Sequence, residues 1–235
     1  MEIEASVFQR VLKVSLSKLG YIFIALGLFI AEQTLTSVVM FPELFNLKYT
    51  TRLTVINASL VILFCLLTLG LAKKMDLTDF KLKMSIPKFV GIVSLGTVGL
   101  FAVSIIGSII LANSGEVTTA NQQGIEDLVK TTSLFPYTLT IAFLAPIVEE
   151  FIFRGLIIGK LSPRYRWSGA VVSIMLFALI HNPTNLGSWI TYGGMGLILA
   201  FTYCKTNSLG TSIAIHFANN AIATLFIILP LIIQK

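Results

Sequence analysis

Apolar residues along this chain come in long unbroken runs, not in the two-residue alternation of a half-buried strand or the stripe of a surface helix. The runs fall at roughly 19–41, 53–72, 89–112, 134–159, 167–181, 187–204 and 209–233, with polar or basic residues between them. A hydrocarbon core about 30 Å thick needs about 20 apolar residues as helix, and most of these runs suffice. The pattern predicts an all-α, polytopic integral membrane protein of about seven to eight transmembrane helices. A transmembrane barrel would need short alternating segments, which the chain lacks.

The polar connections refine this picture. Residues 1–18, with Val7, Val11, Val14 and Lys18 at helical spacing, predict a short interfacial helix leading into the first span. They resemble a signal peptide in charge, but the run that follows is too long for one, so a retained span is expected. Residues 41–48 read as a turn, and 73–88 as a lysine-rich loop. Residues 113–133 form the longest polar stretch, expected outside the membrane with a short amphipathic helix. Gly91, Gly96, Gly99 and Gly107 in the third run offer small surfaces for close helix packing. The run ending at His181 holds about 14 residues, or about 21 Å, too short to cross. Asn182-Pro183-Thr184-Asn185 then interrupts the helix, which membranes tolerate where backbone lines a cavity.

Placing the N-terminus in the cytoplasm puts twelve of the 17 lysines and arginines inside and four outside, with Arg154 within a span. That asymmetry predicts seven spans, N-terminus in and C-terminus out. The chain divides into a variable set of N-terminal helices, 1–133, and a core at 134–233 that carries the chemistry. Composition agrees: 55% of residues are hydrophobic and 12% charged, about half the charge of a soluble domain. The net charge of +6 sets orientation here and implies no nucleic-acid partner. Cys65 and Cys204 fall in or beside spans and read as small buried hydrophobes.

What remains is a handful of polar groups inside apolar runs, where each charge costs about 3 kcal/mol or more. Glu149 and Glu150 adjoin within 134–159, and Glu150 stands four residues before Arg154, the favourable order for an ion pair. Glu149 is turned about 100° away and free to face another helix. Phe177 and His181 share one helix face, and His216 and Asn220 another. Glu32, a lone acid in the first run, reads as a helix–helix hydrogen bond or a group beside a water-filled cavity. Taken singly, each pair is explained by packing. With the topology above, Glu149, His181, His216 and Asn220 fall within a band about 10 Å deep on three spans, around a polar cavity.

Such a set suits hydrolysis by activated water. Glu149 would act as general base, His181 would hold the water, and His216 and Asn220 would donate to a developing oxyanion. Glu150 and Arg154 would orient Glu149. No serine, threonine or cysteine nucleophile is required.

Glu149-Glu150-x-x-x-Arg154, Phe177-x-x-x-His181 and His216-x-x-x-Asn220 resemble, in order and spacing, the three motifs of the CAAX-protease and bacteriocin-processing (CPBP, or Abi) family of intramembrane proteases. The resemblance covers about 135–225. It implies a glutamate-dependent intramembrane endopeptidase with Glu149, Glu150, His181, His216 and Asn220 as catalytic residues, and Arg154 and Phe177 as orienting ones. Eukaryotic members remove the last three residues of prenylated proteins. Bacterial members are linked to leader-peptide processing, bacteriocin immunity and regulation of surface proteins. A multi-pass protein of a bacterial cell membrane is expected, with lipid and a peptide or protein substrate as partners.

Two other readings stay open. A non-catalytic immunity or scaffold protein of the same fold would bind a peptide without cutting it. A proton-coupled transporter is disfavoured, because no inverted repeat is visible. Metal-free catalysis is expected, with no cofactor. Zinc held by Glu149, His181 and His216 is the alternative, since two histidines and an acid satisfy its ligand chemistry.

Overall fold

The computed structural model describes residues 2–48, 50–78, 81–82, 84–131 and 133–233; residues 2–8, 10, 11, 130 and 131 are described by backbone only. Among the described residues there is no strand, and the chain is an assembly of eight helices. These are α1 (Glu2–Met40), α2 (Thr51–Lys74), α3 (Ile86–Asn113), α4 (Ala120–Thr131), α5 (134–161), α6 (Arg166–Ile180), α7 (Leu186–Thr206) and α8 (Leu209–Ile233). Four carry stretches long and apolar enough to cross a membrane: Leu12–Met40, Thr51–Lys74, Ile86–Asn113 and Leu209–Ile233. Large apolar side chains such as Phe23, Leu66, Leu95 and Phe226 lie exposed on these helices, as lipid-facing surfaces do.

The N-terminal segment departs from expectation. No separate interfacial helix precedes the first span; α1 runs unbroken from Glu2, because nothing in 1–18 breaks a helix and Gly20 is tolerated within one. Val7 and Val11, half of the predicted interfacial face, have side chains outside the described residues. So do Arg10, Lys83, Lys130 and Lys235, four of the charges used for orientation. The remaining boundaries agree closely. The polar stretch contains α4, and α6 stops at Ile180 after 15 residues, with His181 as its C-cap. Asn182 then takes a left-handed conformation (φ 49°), one that asparagine tolerates. Asn185 opens α7 with a reciprocal cap: its side chain accepts from Ser188 N–H (2.9 Å), and its own N–H donates to Ser188 Oγ (3.1 Å).

Of the predicted glycine surface on α3, Gly107 shows why small residues are needed. A Cβ there would sit 2.8 Å from the carbonyl oxygen of Gly187 and against the Thr191 hydroxyl, so α3 and α7 meet backbone to backbone. Gly91 has nothing near it and takes no part.

The correction that matters for function lies in α5. The chain is helical throughout 134–161 but is not a regular α-helix. Turns wound i→i+5 occupy Thr140–Leu144 and Phe151–Leu161, and ordinary α winding resumes only at Ala145–Glu150 between them. Pro146 explains the first of these. A proline inside a helix supplies no N–H and its ring collides with the carbonyl four residues back, and a wider turn before it relieves both. Ala145 N–H accordingly donates to Thr140 O, five residues back. The partner that i→i+5 winding would assign to Ile141 O is Pro146, which has no hydrogen to give. That carbonyl needs a donor from elsewhere.

Candidate active site

The donor comes from α8. Asn220 Nδ2 gives a hydrogen bond to Ile141 O (3.0 Å), and Asn220 Oδ1 accepts one from Asn219 (3.1 Å). The widened turn before Pro146 in α5 and the asparagine of α8 are thus one device, which ties the two helices together beside the acid pair.

Glu149 and Glu150 follow within the short α stretch and face different surroundings. Glu150 is fully buried. Its Oε1 accepts from Arg154 Nη1 and from His216 Nδ1, both at 3.0 Å, and its Oε2 accepts from the Ser212 hydroxyl. Arg154, also fully buried, spends Nη2 on Gly196 O (3.1 Å) and lays its guanidinium 4.6 Å from the Phe177 ring centre. The predicted Glu150–Arg154 pair therefore exists, and it locks α5 to α7 and α8. A carboxylate with three donors and a buried guanidinium with its own acceptors meet the condition for keeping ions out of water.

Glu149 points into a cavity of about 1010 Å³, which His181, His216, Asn219, Asn220, Tyr192 and Glu32 also line. Its Oε2 lies 3.9 Å from His181 Nε2 and 3.9 Å from His216 Nε2. Those separations exceed a hydrogen bond and admit a bridging water-sized group. The oxygen has no hydrogen-bond partner among the described residues.

Both imidazoles are held from behind. His181 Nδ1 bonds Phe177 O at 2.7 Å, and since a carbonyl only accepts, that nitrogen carries the proton. The His181 ring also stacks on Tyr192, centres 4.5 Å apart and planes 19° from parallel, and Tyr192 OH bonds Thr119 Oγ1 at 2.7 Å. His216 Nδ1 faces Glu150 and is protonated by the same argument. Each ring, when neutral, then presents an unprotonated Nε2 to Glu149.

All seven residues singled out from the sequence come together. Glu149, His181, His216 and Asn220 line the cavity, while Glu150, Arg154 and Phe177 form a supporting layer. Sequence reasoning passed over Ser212, Tyr192 and the Gly196 carbonyl. Ser212 had a readable signal: it stands four residues before His216, extending the His216–Asn220 face by one turn. Tyr192 and Gly196 had none, since their roles depend on how α7 lies against α5 and α6.

These distances bear on the zinc alternative. Tetrahedral bonds of 2.0–2.1 Å separate ligand atoms by about 3.3 Å. The 3.9 Å from Glu149 to each histidine is wider, and no group of three His, Cys, Asp or Glu among the described residues is arranged to hold a metal ion.

Comparison with known proteins bears on the same segment. Residues 131–222 match the family model described as type II CAAX prenyl endopeptidase Rce1-like. The UPF0177 protein YvdC of Lactococcus lactis subsp. lactis (strain IL1403) is 32% identical over 124 residues, 52% of this chain and 46% of that one. The membrane-embedded CAAX protease MroQ of Staphylococcus aureus (strain USA300) is 31% identical over 93 residues, 37% of each chain. Each match covers less than half of the relative's length. No solved structure matches.

Proposed function

Because the chain belongs, through residues 131–222, to the Rce1-like family of CAAX proteases, we propose that it is a membrane peptidase in which Glu149 activates water to hydrolyse a peptide bond. One observation carries the mechanism: two histidine Nε2 atoms from different helices lie equally far, 3.9 Å, from the cavity-facing oxygen of Glu149. A water held at that junction loses a proton to Glu149, and its oxygen attacks the scissile carbonyl carbon. His181, through Nε2, fixes the direction of the water. The oxyanion is met by the remaining Nδ2–H of Asn220 and by His216, whose Nε2 donates when the ring is protonated against Glu150. As the tetrahedral intermediate collapses, the C–N bond breaks and Glu149 returns its proton to the leaving amine. Glu150 and Arg154 are positioning residues, and Phe177 seats the guanidinium and the His181 ring.

No metal takes part in this scheme. The protein sits in a bacterial membrane with several passes, N-terminus inside. The substrate is a membrane-associated peptide of leader or signalling type, because a bacterial host usually lacks prenylated proteins.

The test compares peptides released by cells carrying the native protein, Glu149→Gln or no copy, with the amount of membrane-inserted protein measured alongside. A processed peptide lost equally in the variant and the deletion is the expected result. A stable variant that retains the native phenotype would overturn catalysis in favour of an immunity or scaffold role. Activity lost to a chelator and restored by zinc would overturn the metal-free scheme.

A further inference from the structure

The cavity holds a carboxylate that the mechanism does not use. Glu32, on α1, is 5% exposed and lines the same space as Glu149 and His216. Its side chain is held by two neutral donors: Thr36 Oγ1 gives a hydrogen bond to Oε1 (2.9 Å) and Gln33 Nε2 one to Oε2 (2.8 Å). Each oxygen keeps a second lone pair, and no cation pairs with it among the described residues. Arg154, the buried cation of the site, is committed to Glu150 and Gly196.

The charge around the cavity is one-sided. The chain as a whole carries 17 lysines and arginines against 11 acids. Yet three carboxylates, Glu32, Glu126 and Glu149, line this space, and no described lysine or arginine does. A carboxylate kept at depth without a counter-ion is costly, and a cation brought by a ligand removes that cost. Lysine and arginine suit the space in a second way, since their apolar stems can lie along its lipophilic wall while the charged end reaches the acid.

We propose that Glu32 is the specificity residue of this cavity and receives the cationic side chain of a lysine or arginine in the substrate peptide. The inference rests on the peptidase reading above and adds the class of residue that the substrate must carry near the bond cut.

The test uses the full-length protein in lipid nanodiscs and apolar peptides in which one position at a time is lysine or its uncharged counterpart norleucine. Binding is measured in a Glu149→Gln background, where nothing is cut, and cleavage with Glu149 intact. At one position lysine should bind about tenfold more tightly than norleucine, the worth of one charge-assisted hydrogen bond. Glu32→Gln, which removes the charge at the same size and keeps the Thr36 contact while Gln33 turns its amide oxygen to the new Nε2, should collapse that ratio to about one, and Glu32→Lys should shift the preference to glutamate at the same position. A lysine preference that survives Glu32→Gln, or no preference at any position, overturns the proposal. The two readings fail separately. Charge-dependent binding that needs Glu32, without cleavage of any peptide, would uphold the specificity site and remove the peptidase. Cleavage indifferent to lysine would do the reverse.

Discussion

Removing the Glu150 carboxylate isolates the cost of the buried ion pair. Glu150→Ala leaves Arg154, fully buried, with Gly196 O and the Phe177 ring as its remaining partners. An uncompensated guanidinium at membrane depth costs about 3 kcal/mol on insertion scales. Two further donors, Ser212 and His216 Nδ1, lose their bond to the carboxylate, at about 1 kcal/mol each, with Ser212 keeping only its long contact to Leu199 O (3.5 Å). The sum is about 5 kcal/mol, at the upper end for breaking a buried pair by removing one partner. The double variant Glu150→Ala/Arg154→Met removes the stranded charge and keeps an apolar stem in its place. Its loss should therefore be smaller than that of Glu150→Ala alone, about 2 kcal/mol from the two lost hydrogen bonds to the carboxylate. The assay is thermal or denaturant unfolding of the detergent-solubilised protein for the native, both single variants and the double. Were the double variant as unstable as the two singles added together, the ion pair would not be the unit described here.

Other expectations follow from the same contacts. Pro146→Ala restores an N–H and lets α5 rewind as a regular helix; stability should hold or rise while peptide processing falls about tenfold, because Glu149 is re-aimed. Gly107→Val drives a side chain into the Gly187 backbone and should lower stability by at least about 1–3 kcal/mol, read as reduced folded yield in detergent. Tyr192→Phe keeps the ring under His181 and loses the Thr119 bond, so a stability loss of about 1 kcal/mol should leave processing near native, whereas Tyr192→Ala should lower processing as well. Asn185→Ala removes the cap of α7 and should cost about 1 kcal/mol in the same unfolding assay.

Much of this molecule could be read from the chain because a membrane makes composition speak plainly. Long apolar runs located seven of the eight helices, and the polar stretch at 113–133 foretold α4. The rarity of charge at depth singled out Glu149, Glu150 and Arg154, and spacing on helix faces added His181, His216 and Asn220. What escaped was local winding and lateral contact. Proline at 146 stands in plain view within the run, yet nothing in the sequence reading took from it that the turns around it widen, or that Asn220 answers the carbonyl left without a donor. The difference between Glu149 and Glu150 was anticipated from a 100° turn, yet its outcome, one acid held by three donors and the other open to a cavity, is set by α7 and α8. Glu32 read as a helix–helix hydrogen bond or a group beside a water-filled cavity, and it does line a cavity. That it shares the space of Glu149 depends on where α1 lies, and no pattern within α1 encodes that.

The shortness of α6 has a consequence for the surrounding lipid. Fifteen residues rise about 22 Å, some 8 Å less than an average hydrocarbon core. Trp167 and Tyr165 are exposed at its start, suited to sit at the headgroups, and Val171, Met175 and Leu179 face outward along its length. With that end anchored, the acyl chains beside His181 would have no helix to match, and local thinning of the bilayer is one way to relieve that mismatch. A thinned bilayer brings the aqueous phase to the edge of the cavity. The water that the proposed hydrolysis consumes would then reach Glu149 through the membrane's own deformation, and bilayers of longer acyl chains should slow peptide processing without touching a single residue of the site.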